Sequence, residues 1–240
     1  GVAIDKNKLA FAIGRALAAD PARLSKHYVE PAEVPETLDQ MISRRVSFLT
    51  DYQNAAYAKQ YSDQLAALPE DLVEPAARSL FKLMAYKDEF EVARLMVDPV
   101  FTDRLDQEFT GGFKVNYHLA PPVFSRKTDT RGRPLKRAFG QWMTPVLSVL
   151  ARAKGLRQSP LNPFAHHSEA RMHRQLLAWY QDLLARAARE ATDQTAEIWQ
   201  QILSLPMDIR GYGPVRTQAA DEARKAAELL LDKLGGKTGA

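Results

Sequence analysis

The sequence predicts a mainly α-helical protein: a multi-helix domain with a small antiparallel β-hairpin insert at about residues 113–138. Through most of the 240 residues, apolar side chains recur near a 3.6-residue spacing, the pattern of a helix with one buried face. Prolines and glycines divide this pattern into segments of helix length. In one stretch near the middle of the chain, apolar and polar residues alternate instead. Strands and helices do not alternate along the chain as an α/β fold requires.

Helices in the N-terminal half are bounded by proline. Asp20-Pro21 and Asp98-Pro99 each combine a preferred N-cap residue with proline at the first helical position, so both mark helix starts. Leu68-Pro69 closes a segment between them. We predict helices over residues 4–19, about 37–68, 72–97 (as one helix or a pair) and 99–109.

The β-hairpin is predicted where the helical spacing stops. Gly111 and Gly112 break the preceding helix, and residues 113–119 alternate and are rich in β-forming side chains. Residues 135–139 supply a second short segment after a polar, basic turn around Gly132. These features predict two antiparallel strands with a basic tip.

Helices resume after the hairpin. Gly155 ends the first, Ser168 is a candidate N-cap for a long second one, and Pro206 ends a third. The loop at residues 209–216 precedes a final amphipathic helix. We predict helices over about 141–154, 168–190, 193–205 and 217–234, followed by a disordered tail at 235–240.

Composition limits the classes of function. The net charge is +4, but residues 126–137 alone carry +5, so the rest of the chain sums to −1. A nucleic-acid-binding face would spread its charge and add stacking aromatic residues, so this class is disfavoured. The longest apolar runs are only a few residues, whereas a membrane-spanning helix needs about 20. Without cysteine, the chain cannot hold a disulfide, a thiolate metal site or an iron–sulfur cluster.

Catalytic and metal-binding motifs are missing from the sequence. No two of the five histidines have the i, i+4 spacing that would direct both imidazoles to one metal ion, and no HExxH occurs. The chain also lacks a GxSxG nucleophile motif and a phosphate-binding GxxxxGK[ST] loop. We therefore predict no catalytic residue and no metal ligand.

Lys87, Asp88, Glu91 and Arg94 form a charged group within an otherwise apolar segment. In a continuous helix, Lys87, Glu91 and Arg94 would share one face at i, i+4 and i+7. Buried charges must be paired, so the favoured interpretation is an internal ion network. The alternative is a polar pocket in which Lys87 or Arg94 receives a carboxylate.

The 209–216 loop is a candidate anion-binding element. Arg210 and Arg216 flank Gly211 and Gly213 at a helix start, where backbone N–H groups and guanidinium groups can hold an anion. The favoured alternative is a tight connection that needs glycine's positive φ.

Four short blocks, in order along the chain, resemble one family. The blocks are LFKLMAYKDEFEVARL (80–95), YHLAPP (117–122), FGQWM (139–143) and IRGYGPVR (209–216). They are similar to the C-terminal region of the fused indolepyruvate (2-oxoacid) ferredoxin oxidoreductases, and residues 46–61 resemble the start of that region. Residues 1–21 resemble the last helix of the γ-type domain that precedes it.

The resemblance implies a domain organisation. Residues 1–20 would be the tail helix of the γ-type domain, 21–234 the C-terminal helical domain with its β insert, and 235–240 the tail. We therefore expect the chain to be a segment of a longer polypeptide.

The family is implied to decarboxylate arylpyruvates oxidatively to acyl-coenzyme A, with ferredoxin as electron acceptor. Its cofactors are thiamine diphosphate with magnesium, and 4Fe–4S clusters. This chain has no cysteine and no GDG-type thiamine-diphosphate motif, so it can carry none of that chemistry. The resemblance thus implies a non-catalytic structural or assembly domain, located in the cytoplasm, whose partners are the remaining domains of the enzyme.

The basic hairpin tip is a candidate docking element. Arg131 and Arg133 could meet an acidic partner such as ferredoxin, or the phosphates of coenzyme A. The favoured interpretation is a solvated turn.

Two other classes of function remain open at this point. One is a free-standing helical binding module for a small anion or a partner protein, using Lys87, Glu91, Arg94 and the Arg210 loop. The other is a nucleic-acid binder that would use the hairpin at 126–137.

Overall fold

A computed structural model describes residues 4–20, 36–109, 113–120 and 135–237. By contact, the chain divides into two compact units, Gly1–Thr37 and Leu38–Ala240. The first unit contains helix α1 (Ile4–Ala19), none of whose side chains is buried. The domain boundary predicted after residue 20 falls inside this first unit.

The second unit is mainly helical, and this fold class confirms the prediction from sequence. Within the described residues it contains nine α-helices: α2 (Leu38–Tyr52), α3 (Ala55–Ala66), α4 (Glu70–Met84), α5 (Glu89–Met96), α6 (Pro99–Glu108), α7 (Met143–Arg152), α8 (Ser168–Glu190), α9 (Ala196–Ser204) and α10 (Pro214–Lys237). Two 3₁₀ helices follow α7 and α9, at Ala153–Gln158 and Leu205–Asp208. No helix in these ranges combines the length and the apolarity needed to cross a membrane.

The β insert is a short antiparallel pair. Strands β1 (Tyr117–Leu119) and β2 (Arg137–Phe139) pair with Tyr117 opposite Phe139 and Leu119 opposite Arg137. Each strand has three residues, so both are shorter than predicted. The predicted hairpin tip, with Arg131 and Arg133, lies outside the described residues.

Several helices begin at a polar N-cap side chain, a position that the spacing of apolar residues does not predict. The side chain of Asn54 accepts a hydrogen bond from the backbone N–H of Tyr57, so the predicted single helix over 37–68 was wrong and two helices form there. Asp88 similarly caps α5 and separates it from α4. The Asp98-Pro99 cap is confirmed, because the carboxylate of Asp98 accepts from the N–H of Val100 at 2.9 Å.

Several helix ends in the C-terminal half differ from the predictions: α9 begins at Ala196 and α10 at Pro214, each three residues from its predicted start. His167 is the N-cap residue of α8 and Ser168 is its first helical residue, so the predicted Ser168 cap was wrong. The last helix, α10, continues to Lys237, three residues beyond its predicted end.

The main core lies between α4 and the helices around it. Its largest fully buried side chains come from α2, α3, α4, α8 and α9, and include Leu49, Tyr61, Leu80, Tyr180 and Trp199. Full burial of an aliphatic or aromatic side chain contributes roughly 1.5–3 kcal/mol. The Tyr180 hydroxyl donates to the Leu203 carbonyl at 2.8 Å, so its polar end is satisfied inside the core.

A second apolar cluster attaches the hairpin to α5 and α7. Ala93, Tyr117, Met143 and Leu147 are buried together, with Phe139 packed against them. This cluster fixes the position of the hairpin on the second unit.

Candidate functional site

An open cleft of about 2150 Å³ runs along the N-terminal half of α8. The start of α10, the α7–α8 connection and the α4–α5 connection with the first residues of α5 supply other walls. Small-molecule pockets usually enclose roughly 300–1,000 Å³, so this is a broad surface groove rather than a closed pocket. Two polar clusters lie in its walls, one around Arg157 and one around His173.

Arg157 forms a buried ion pair at one end of the cleft. Its Nε and Nη2 contact the two carboxylate oxygens of Asp88 at 2.5 and 3.0 Å, and the two side chains are only 10% and 14% exposed. Its Nη1 donates to the Tyr52 carbonyl and, at 2.8 Å, to Oε1 of Gln53. The guanidinium lies over the Tyr52 ring, 3.7 Å from the centroid. Charge, hydrogen bonds and ring stacking together fix Arg157, so it links α2, α5 and the α7–α8 connection.

The predicted charged group around Asp88 is divided between two pairs. Asp88 caps α5 and binds Arg157, whereas Glu91 binds Arg94 through two contacts of 2.9 and 2.7 Å. The Glu91 side chain is only 4% exposed, and its hydrogen bonds raise the pKa of Arg94. Lys87 is exposed and precedes α5, so the shared helix face predicted for Lys87, Glu91 and Arg94 was wrong. The physical reason is the break between α4 and α5.

His173 is buried at the middle of the cleft beneath Tyr86. The two rings stack with centroids 4.1 Å apart, and Nη2 of Arg216 lies 3.1 Å from Nδ1 of His173. Burial, followed by the nearby positive charge of Arg216, lowers the pKa of His173 to about 3. The imidazole is therefore neutral at physiological pH, accepts a hydrogen bond from Arg216 at Nδ1, and hydrogen-bonds the Leu83 backbone.

The 209–216 loop is held by a carboxylate of the same chain. Oε1 of Glu169 accepts from the backbone N–H of Gly213 at 2.8 Å, and Oε2 accepts from the Tyr86 hydroxyl at 3.3 Å. Gly211 and Gly213 have φ of 89° and 56°, the left-handed region that favours glycine. The loop is thus the tight connection that was the favoured prediction from sequence. The N–H of Gly213 that could have bound an external anion is bound to the Glu169 carboxylate instead. Arg210 is exposed, and Arg216 lies over the Tyr86 ring at 4.7 Å.

Three tyrosines close the end of α4. The hydroxyls of Tyr52 and Tyr57 donate to the carbonyls of Tyr86 and Met84 at 2.8 and 3.0 Å. Burial is the largest cause that raises the pKa of Tyr57 and of Tyr86 to about 12, and it raises the pKa of Tyr52 as well. These phenols stay protonated near neutral pH, so they act as hydrogen-bond donors.

Glu89 is a carboxyl of the cleft whose pKa is raised. Burial, followed by the negative charges of Asp88 and Glu169, raises its pKa, while its own backbone N–H and His167 act in the opposite direction. No group of three or more His, Asp or Glu side chains that could hold a metal ion occurs in the described ranges.

Sequence reasoning missed four of these residues. Arg157 belongs to no motif, Tyr86 lies in the block at 80–95 without an assigned role, and the spacing of the histidines argued against a metal site but gave His173 no other role. Glu169 and Gly213 are 44 residues apart, a pairing that periodicity cannot reveal. The sequence signal available was that a buried charge must be paired, which predicted a partner for Asp88 but not which residue it would be.

Residues 38–229 match the model of DUF6537, described as a family of unknown function. The chain belongs to the DUF6537 family. Comparison with curated proteins gave no match, and comparison with solved structures gave none either. The DUF6537 match starts at the first residue of α2 and ends inside α10. It therefore contains both polar clusters and the hairpin.

Proposed function

We propose that this chain is a non-catalytic structural or assembly domain of a thiamine-diphosphate-dependent indolepyruvate (2-oxoacid) ferredoxin oxidoreductase. The resemblance of the four sequence blocks supports this proposal, because blocks far apart in sequence adjoin one another in the fold. The second block contains strand β1, and the third begins at Phe139, the last residue of strand β2, which pairs with Tyr117 of the second block. Tyr117 and Phe139 share an apolar cluster with Ala93 of the first block. The fourth reaches the first through Arg216, which lies over the Tyr86 ring.

The observation that carries the assembly role is an apolar stripe on the outer face of α7. Trp142, Val146 and Val149 are 64%, 50% and 67% exposed. Their i, i+4 and i+7 spacing places them on one helix face, away from the buried Met143 and Leu147. Exposed apolar stripes of this kind mark interaction surfaces.

We assign this stripe to contact with the remaining domains of the same oxidoreductase. Trp142 belongs to the FGQWM block, so the surface coincides with a part of the chain that carries the resemblance. Covering the three side chains would contribute roughly 1–2 kcal/mol each, because about half or more of each is still exposed. The role of such a domain is to hold the catalytic domains together and to shield their intermediates from water.

The cofactors of the family do not fit this chain. A 4Fe–4S cluster is held by cysteine thiolates, and the sequence contains none. The proposal therefore assigns thiamine diphosphate, magnesium, the clusters and coenzyme A to other domains. Ferredoxin is the proposed electron acceptor of the whole enzyme, and the cytoplasm its proposed location.

The first test is the mass and cofactor content of the endogenous polypeptide that carries this sequence. We expect a polypeptide several times heavier than 26.9 kDa, with bound iron and thiamine diphosphate. A native chain of about this mass without iron would refute the proposal. The alternative, a free-standing module for a small anion or a partner protein, would then become the function to pursue.

The second test addresses the apolar stripe in the native protein. Trp142→Asp should increase the rate at which limited proteolysis releases this domain, because the charge opposes burial of the stripe. Leu229→Asp is the matched control, since Leu229 is 67% exposed on α10, outside the stripe. Equal proteolysis rates for the two variants would contradict the assigned contact.

A further inference from the structure

The contact between the end of α4 and residues 205–216 brings the elements that carry three positively charged residues together. Nζ of Lys82 donates to the Met207 carbonyl at 2.8 Å, which holds the second 3₁₀ helix against α4. Arg210 follows Met207 by three residues. Arg216 lies over the ring of Tyr86, four residues after Lys82. We call Lys82, Arg210 and Arg216 the cationic corner.

Within the described residues no carboxylate forms an ion pair with a side chain of the cationic corner, although Asp208 is near enough to Lys82 to act on its pKa. The partner of Lys82 is a carbonyl. The partner of Arg216 is the imidazole of His173, which is also neutral.

The surroundings of Lys82 disfavour its charged form. Burial is the largest cause that lowers its pKa, and the positive charges of Arg210 and Arg216 lower it further. Asp208 acts in the opposite direction but forms no ion pair with Lys82 in the described residues. A bound anion would offset the effect of the neighbouring arginines on Lys82, because opposite charge favours the charged form of a lysine.

The cationic corner is accessible to solvent, and Arg216 is held in a fixed position within it. Arg210 is exposed, and Lys82 and Arg216 are half-buried. The Tyr86 ring and the hydrogen bond to His173 fix the guanidinium of Arg216, which leaves its other N–H donors for a ligand. The N–H of Gly213 already binds Glu169, so side chains rather than the loop backbone would contact the ligand.

We propose that Lys82, Arg210 and Arg216 form a binding site for the phosphate group of a small molecule. A phosphate carries close to two negative charges and accepts the paired donors of guanidinium groups, and three cations exceed what a single carboxylate needs. This site is independent of the proposed assembly role, because it lies on other residues than the apolar stripe of α7.

The test is a titration of the purified protein with inorganic phosphate and with pyrophosphate, followed by isothermal titration calorimetry at constant ionic strength. We expect a dissociation constant of about 1 mM or tighter for at least one of the two probes. Arg210→Ala and Lys82→Met should each weaken binding about tenfold or more, since each removes a charge-assisted contact.

Arg189→Ala is the matched control, because Arg189 is an exposed arginine in the last turn of α8. It should leave the affinity unchanged. Arg210 is exposed, so Arg210→Ala should fold as the unchanged protein does, with the same urea midpoint. Absence of binding, or equal weakening by Arg189→Ala and Arg210→Ala, would overturn the proposal.

Discussion

Replacing Arg157 with methionine should destabilise the protein by about 3–5 kcal/mol, because the change leaves the Asp88 carboxylate without its counterion. The two side chains are only 10% and 14% exposed, so solvent would compensate little of the lost interaction. The acceptors on Tyr52 and Gln53 also lose their donor. Asp88 keeps its bond to the N–H of Glu91, which places the expected effect toward the lower end of the range.

The assay is urea unfolding followed by far-UV circular dichroism. With an m-value of about 2 kcal/mol/M, the midpoint should fall by about 1.5–2.5 M. Arg78→Met is the matched control, since Arg78 pairs with Glu74 on α4 and these side chains are 50% and 57% exposed. Exposed i, i+4 pairs contribute about 0.5 kcal/mol or less, so the control should barely move the midpoint.

A double variant distinguishes the contribution of the Arg157–Asp88 interaction from the cost of leaving Asp88 charged without a partner. Asp88→Asn combined with Arg157→Met removes both charges, so it should be less destabilised than the sum of the two single variants. A midpoint shift for Arg157→Met as small as that of Arg78→Met would refute the reasoning. Full additivity of the two single changes would refute the pairing.

Two further predictions concern the neighbouring cluster. Because the pKa of His173 is lowered to about 3, the unfolded chain binds a proton that the folded protein does not, between pH 3 and the ordinary histidine value of about 6.5. His173 should therefore make stability fall with decreasing pH in that window by up to about 1.4 kcal/mol per pH unit, and urea midpoints across the window should show a smaller slope for His173→Gln. Gly211→Ala should destabilise the protein more than Gly213→Ala: both glycines have positive φ, but a Cβ at Gly211 would lie 2.8 Å from Cγ1 of Val215, whereas one at Gly213 meets nothing closer than 3.8 Å. Equal urea midpoints for the two variants would contradict this order.

Sequence periodicity predicted the helical fold well, because most helices here have one buried face. It failed where a polar side chain ends or begins a helix. Asn54 interrupts an apolar pattern that continues on both sides of it, so the break between α2 and α3 could not be read from spacing. The same holds for Asp88, whose capping role depends on the N–H of Glu91.

The site was less predictable than the fold because its contacts join distant parts of the chain. Arg157 and Asp88 are 69 residues apart, and Arg216 and His173 are 43 apart. The sequence indicated that charges near Asp88 needed partners, and it identified Arg210 and Arg216 as candidate anion ligands. It contained no signal that Lys82 would join them, since that depends on how the second 3₁₀ helix packs on α4.

Polar residues that are bound to partners in the same chain can be distinguished from exposed residues that are available to other molecules. Asp88, Arg157 and Glu169 are engaged by residues of the same chain, although all three line the cleft. Their substitution should therefore change the free energy of unfolding. The apolar stripe and the exposed Arg210 of the cationic corner contribute little to the core, so their substitution should change docking or phosphate binding while the urea midpoint stays constant. A variant of Trp142 or Arg210 that unfolds as the unchanged protein does, yet loses its interaction, would show that these surfaces bind other molecules and do not stabilise the fold.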